Sequence, residues 1–270
     1  MNSKSSKQCI DNLGTADRAR PATEPARFRA SAEAEVMHGA QGYLDTLAAV
    51  HRHFQPDVYL EIGIRHGASL ALAIHSRVAV GVDPAPDLRV ALAENVRVMS
   101  MTSDQFFDDN PIAVLDKAID LAFIDGMHLF EFALRDFMNV ERHATAQSVI
   151  VFDDIFPNHP LQAERERQSG AWTGDVWKIM PCLRKYRPDL LLLPLDAYPA
   201  GLLLVANLDP GNHVLRTNYS AIVDELTSAR APSVGVETLS RANALAPDDP
   251  QIFAIIDRCK AQRASHSSQA

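Results

Sequence analysis

Short apolar runs rich in β-branched residues punctuate this chain, and each is followed by a turn signal. The runs 58–62, 78–83, 96–101, 119–124 and 148–152 have this character, which predicts buried strands. Between them the apolar period lengthens. Tyr43, Leu44, Leu47, Ala48 and Val50 recur at helical spacing up to Pro56, and Phe130, Ala133, Phe137 and Val140 do the same with charges on the opposite face. These predict helices over 40–54 and 129–144. A helix is also expected over about 67–76, a short one from 105, a turn of helix over 112–117 and another helix over 175–186. Pro84 and Pro86 turn the segment after 83 into a loop. Two last runs, 190–195 and 201–208, are joined by five residues and read as an antiparallel hairpin. The sum is an α/β fold: a Rossmann-like, doubly wound, mainly parallel seven-stranded sheet with an antiparallel last strand.

The flanks differ from this core. Residues 1–30 are rich in Ser, Ala, Arg and Pro without an apolar period, which predicts a disordered segment. Residues 31–210 hold the sheet domain. Residues 211–270 form a helical C-terminal extension, broken at Pro232 and near Pro247 and Pro250. Within it, 236–245 resembles one helix of a helical-repeat pair, although a single copy establishes no repeat. The stretch 158–174 is polar, carries Pro160, Gly170 and Gly174, and predicts a long mobile loop.

Composition narrows the function. With 47% hydrophobic and 22% charged residues the chain can bury a sizeable core. No apolar run reaches the roughly 20 residues of a membrane span, and the first residues lack the apolar stretch of a secretory signal. The three cysteines, Cys9, Cys182 and Cys259, are far apart and odd in number, so a reducing, cytoplasmic setting is the default. The net charge of −8 is uneven: the first thirty residues are basic, the last sixty balanced, and the acidic excess falls on 31–210. An acidic domain argues against nucleic acid and membrane partners and favours a small-molecule substrate, a cation, or both. Oligomeric state is left open, a homo-oligomer included.

Chemistry concentrates where the strands end. The first strand runs into Gly63-Ile-Arg-His-Gly67, and a strand entering a turn through glycines presents unpaired backbone N–H groups. Asp83 ends the next strand, twenty residues after Gly63, a distance that suits an acid holding ribose hydroxyls. The pattern is G-x-x-x-G rather than G-x-G-x-x-G. Arg65 stands where a middle glycine would be, and Glu61 precedes the turn. An acid there is unhelpful beside a pyrophosphate and suits a ligand with an ammonium group. Asp125 ends the fourth strand, and Asp153-Asp154 end the fifth. In parallel sheets ligands sit outside these carboxyl ends.

Four stretches in order, Leu60-Glu-Ile-Gly-Ile-Arg-His-Gly-Ala-Ser69, Val80-Gly-Val-Asp83, Phe123-Ile-Asp-Gly-Met-His128 and Val149-Ile-Val-Phe-Asp-Asp154, resemble the class I S-adenosylmethionine-dependent methyltransferases. The closest resemblance is to the branch containing metal-dependent small-molecule O-methyltransferases, and it covers about 40–208. It implies that Glu61, Gly63, Gly67 and Ser69 line the methionine part of S-adenosyl-L-methionine, that Asp83 holds the ribose, and that Ser103 and Asp104 lie near the adenine. It also implies that the fourth and fifth strands are neighbours. Asp125, Asp153 and Asp154 would then converge, repel one another, and suit Mg2+ or another divalent cation. Such an ion can chelate and acidify a substrate hydroxyl, with Asp125 beside it and His128 placed to take the proton. Each of these residues has a bland alternative. The glycines could serve the turn alone, Ser69 and Asp104 could be helix-terminal residues, Asp154 could bond the following loop, Asp125 could contact the cofactor's amine, and His128 could be structural. Trp172 and Trp177 flank Thr-Gly-Asp in the 172–178 segment, as a lid whose indoles stack on a sugar or aromatic ring, or as core and loop anchors; His159 reaches in from the same loop. Two other classes stand against the methyltransferase reading. One is a cofactor-binding interaction module, which has no need of acids at three strand ends. The other is a nicotinamide-dependent oxidoreductase, which the missing glycine pattern and the final hairpin disfavour.

Overall fold

The computed structural model describes residues 31–267, so the disorder expected over 1–30 lies outside the described residues. Among the described residues the main sheet has seven strands: β1 (Val58–Ile62), β2 (Val78–Val82), β3 (Val96–Met99), β4 (Ile119–Ile124), β5 (Ala144–Phe152), β6 (Leu191–Leu195) and β7 (Leu202–Ala206). Their order is β3-β2-β1-β4-β5-β7-β6, with β7 antiparallel to both neighbours. The expected α/β sheet and its closing hairpin are therefore present. The chain steps outward from β1 on one side and resumes at β4 on the other, so the crevice at the carboxyl ends of β1 and β4 is the switch point of the sheet.

The helices are α1 (Tyr43–Phe54), α2 (Ser103–Asp108), α3 (Ile112–Leu115), α4 (Phe130–Arg142), α5 (Ile179–Tyr186), α6 (Val214–Thr227), α7 (Val236–Leu239) and α8 (Pro250–Ser267). Alternation along the strands sorts the core into two layers. Val58, Leu60, Ile62, Val80 and Ile124 face Phe130, Leu134, Phe137 and Leu183. Tyr59, Ala79, Leu121, Phe123, Val149 and Val151 face the opposite way, toward Leu47, Val50 and Phe54 of α1 and Ile252, Ile256 and Cys259 of α8.

The helix expected over 67–76 is reduced to a single 3-10 turn, Leu70–Leu72. Leu70 and Ala73 still bury, but the carbonyls of Ala73 and Ser76 accept from the Asn95 side chain (2.9 and 2.7 Å), a partner no local pattern announces. α8 supplies apolar cover on the face this short turn leaves thin, packing along α1 with Phe253 beside His53 and Lys260 donating to the His53 carbonyl. The helix expected over 236–245 is likewise cut to α7. Arg241 and Asn243 take left-handed backbone (φ 55° and 67°), and Leu245 then bridges Leu195, covering part of the β6 edge.

The stretch 158–174, expected to be mobile, is tied down. The Gln162 amide donates to the Ala34 and Val36 carbonyls, and Glu35 accepts from the N–H groups of Gly170 and Ala171. Arg165 binds both Glu131 and Asp175. Most of these partners, Ala34, Glu35, Val36 and Glu131, lie far away in sequence, so polarity alone does not reveal them.

If α8 is structural cover, Ile256→Ala, at a fully buried position, should destabilise the fold by about 2–5 kcal/mol. Val236→Ala, at a largely exposed position, should stay within about 0.5 kcal/mol. Urea unfolding of both variants checks this; equal, small effects would show that α8 contributes nothing to the core.

Candidate active site

The turn after β1 is a backbone device. Gly63 has φ 84°, and a Cβ there would lie 1.9 Å from the Asp125 carbonyl, so only glycine lets β1 run so close to the end of β4. Gly67, at φ 81°, closes the turn through its N–H to the Ile64 carbonyl. Asp83 braces it: Oδ2 accepts from the N–H groups of Ile64 and Arg65 (3.0 and 2.9 Å), and Oδ1 from Ala85 N–H. Arg65 is exposed and left-handed, at φ 40°. Below the turn, Glu61 is fully buried. Its two oxygens accept from Tyr59 Oη and Ser69 Oγ, each at 2.6 Å. Burial outweighs these donors and pushes its pKa up to about 7. Glu61, Gly63, Gly67, Ser69 and Asp83 thus form one connected structure, with Glu61 and Ser69 bonded to each other beneath the surface.

Ser103 and Asp104 stand beyond β3, in the first turn of α2. Asp104 is gripped by Arg135 through two bonds (3.0 and 2.6 Å). Behind it Asp136 of α4 is buried, and burial pushes its pKa up to about 7 while the Ser103 hydroxyl works the other way.

On the other side of β1 the acids meet. Ile124 pairs with Phe152, which sets Asp125 and Asp153 side by side at the next step. His128, at φ 56°, folds back over them. Its Nδ1 lies 2.8 Å from Asp154 Oδ2 and its Nε2 3.5 Å from Asp125 Oδ1. Potential ligand atoms of Asp125, His128 and Asp154 all lie within 4.8 Å of one another. Asp153 sits beside this trio, buried, with Oδ1 accepting the Asp154 N–H. The sequence nominated Asp153 with Asp125 and Asp154; the geometry puts His128 in the convergent set. Burial and mutual repulsion push Asp125 well above the usual carboxylate range and Asp153 to about 8. For His128, burial works against the charged form, but Asp154 and Asp125 outweigh it and raise the pKa to about 10.

A strap closes over the imidazole. Trp172 stacks on His128 (centroids 5.2 Å apart, 8° between planes), and its carbonyl lies 3.2 Å from Nδ1. Its indole N–H donates to the Glu164 carbonyl. Gly174 approaches so closely that a Cβ would lie 1.8 Å from the His128 carbonyl. Buried Asp175 receives Phe130 N–H and pairs with Arg165 and Lys178, locking the strap to α4. Trp177 is buried and His159 Nδ1 accepts from Leu161 N–H.

Tyr43 is the residue the periodicity hid. It reads as one more apolar helix position, yet its ring stacks near Phe123 (6.4 Å), one pleat below Asp125, at the start of α1. Burial, then Asp153, Asp125 and Glu61, push the phenol up to about 12, so it keeps its proton in front of the acids.

Residues 60–155 match the model of a methyltransferase domain family. Solved structures similar to the chain include an O-methyltransferase from Bacillus cereus in complex with SAH (13% identity, 63% of this chain and 83% of that one, TM-score 0.46). TomG from Streptomyces achromogenes, an O-methyltransferase involved in tomaymycin synthesis, in complex with SAM, is similar at 16% identity over 62% and 80% (TM-score 0.44). SAH-bound PaMTH1 from Podospora anserina is similar at 16% over 62% and 78% (TM-score 0.48). No curated protein matches the chain by sequence. The methyltransferase-domain match runs from β1 to just past the end of β5 and so covers the strands that end in the Gly63 turn and in the acids.

Glu61 gives a pH test. Its folded pKa lies above its ordinary value of 4.5, so the folded state holds the proton more tightly and stability falls as pH rises from about 5 to about 7. Glu61→Gln should remove that loss, gaining about 3 kcal/mol relative to the parent between pH 5 and pH 8. Urea unfolding at the two pH values measures it; a constant difference would show that Glu61 does not titrate as a buried acid.

Proposed function

We propose that this enzyme methylates a hydroxyl of a small molecule, such as a sugar or natural-product intermediate, with a divalent cation held by the acids at the ends of β4 and β5. The observation that carries the reading is the convergence of Asp125, His128 and Asp154 immediately beside the Gly63 turn. The turn suits the cofactor, because glycines at φ 84° and 81° carry the backbone tightly past Asp125 at the switch point of the sheet, where ligands of such folds sit. The acids fit a cation such as Mg2+: carboxylates held together with raised pKa values lack positive charge, and oxygen donors are its usual ligands. Asp125 and Asp154 would hold it, with Asp153 beside them, and its charge would lower the pKa of a neighbouring hydroxyl. The cofactor, when bound, supplies the methyl group as an electrophile on a sulfonium.

The residues then divide the work. Glu61, Gly63, Gly67 and Ser69 shape the methionine end, Asp83 lies where the ribose hydroxyls would come, and Ser103 and Asp104 frame the adenine end. His128 is the proton acceptor. Flanked by uncompensated carboxylates it holds its own proton, so positive charge on Asp125 and Asp154 is what would free the imidazole. Trp172 keeps the ring in plane. The 2.8 Å contact between His128 and Asp154 also favours a second arrangement, in which the imidazolium alone balances the acids and transfer needs no metal.

Titration calorimetry with S-adenosylmethionine, with and without Mg2+, should show binding; none in either condition would sink the cofactor reading. Mg2+ or Mn2+ should raise the Tm of the parent, and Asp125→Asn and Asp154→Asn should abolish that rise and lower kcat on a hydroxylated acceptor by at least about 100-fold. Full activity in chelator, still lost in His128→Ala, would refute the metal and support the second arrangement.

A further inference from the structure

Tyr59 stands two residues before Glu61 on β1, so the two side chains share one face of the sheet. Both are buried, at 1% and 0% exposed, on the side covered by α1. An ionised carboxylate only accepts hydrogen bonds, so both hydroxyls on Glu61 donate: Tyr59 Oη to Oε2 and Ser69 Oγ to Oε1, each over 2.6 Å. The three side chains form a relay from the middle of β1 to Ser69, the residue that opens the 3-10 turn Leu70–Leu72. His51 of α1 meets the Tyr59 ring edge-on (centroids 4.6 Å apart, 71° between planes). Neither ring nitrogen of His51 has a hydrogen-bond partner among the described residues, so it holds the phenol by packing alone.

The turn is seated on the sheet at two neighbouring points. Gly81 of β2 pairs with Glu61, and a Cβ there would lie 2.5 Å from Leu70 Cδ2 and 2.8 Å from Ile64 Cγ2, so these side chains fill the space that the glycine leaves. Leu70 is the apolar anchor and Ser69 the polar one. Glu61 has no exposed surface, so its effect on a ligand passes through Ser69. Without the phenol hydroxyl, Oε2 would be buried with no donor, and the carboxylate would be free to turn away from Ser69. Asp83 braces the turn separately, through the N–H groups of Ile64, Arg65 and Ala85.

We propose that Tyr59 is a positioning residue for the amino-acid end of the cofactor: by holding one oxygen of Glu61 it aims the other at Ser69 and fixes the seat of the turn that receives that end. This rests on the reading above that the methionine end lies along 61–69 and the ribose at Asp83.

The test is calorimetric binding of S-adenosylhomocysteine and of 5'-methylthioadenosine, which keeps the adenosine and lacks the amino-acid end. It is run at pH 8, above the value of about 7 at which Glu61 ionises. In Tyr59→Phe, S-adenosylhomocysteine should bind about 5- to 10-fold more weakly, the worth of one buried hydrogen bond, while 5'-methylthioadenosine stays within about 2-fold of the parent. Glu61→Gln, with a single acceptor oxygen, should show the same selective loss, and the double variant should lose no more than the larger single effect, because both changes cut one relay. Val50→Ala, in the same core layer, should lower the Tm and leave the ratio of the two affinities unchanged. Tyr59→Met, which also lacks the hydroxyl, takes the place of Tyr59→Phe if that variant does not fold. An unchanged ratio in Tyr59→Phe, the same shift in Val50→Ala, or additive losses in the double variant overturns the inference alone. A parent that binds neither ligand overturns the cofactor reading and the inference with it.

Discussion

Like charge held in place by sheet register is the constraint on which this site depends. Asp125 and Asp153 end neighbouring parallel strands, and the pairing of Ile124 with Phe152 leaves them no freedom to separate. Asp154 is turned back at φ 64° and adds a third carboxylate. In water such a cluster would relax by spreading apart; at the end of a buried sheet it can only gain protons or recruit positive charge. His128 is the positive charge the chain itself provides, and the strap of Trp172, Gly174 and Asp175 holds it there.

The same logic explains the polar groups under the β1 turn. Glu61 is sealed between Tyr59 and Ser69, so its contribution to the turn passes through those two hydroxyls. Both Asp83 oxygens receive backbone N–H groups, so the turn is shaped before any ligand arrives. A site built in this way is preorganised, which is the condition for a displacement that needs nucleophile and methyl group in line. The rest of the fold supports the two clusters, with α8 and α1 packed on one face and α4 on the other.

Much of this was legible in the sequence because it is local. β-branched runs marked the strands, glycines marked the turn, and acids marked the strand ends. What was hidden depends on partners far along the chain. The helix expected over 67–76 yields to Asn95, the loop over 158–174 is held by Glu35 and Gln162, and Asp104 is claimed by Arg135. Tyr43 carried no sign of its place, since a tyrosine at helical spacing looks the same whether it lies at the surface or against Phe123 beside the acids. His128 was visible as a neighbour of Asp125, but its reach to Asp154 needed the left-handed backbone that brings the ring over the strand ends.

On the proposed function, the acids at the ends of β4 and β5 recruit a cation beside the methyl donor. Anomalous diffraction from crystals grown with S-adenosylhomocysteine and Mn2+ tests it most directly. The expected result is one strong Mn2+ peak bounded by Asp125 and Asp154, with the contact between His128 and Asp154 broken or rebuilt around the ion. Bound S-adenosylhomocysteine with no Mn2+ peak at saturating metal, and with His128 still 2.8 Å from Asp154, would contradict it.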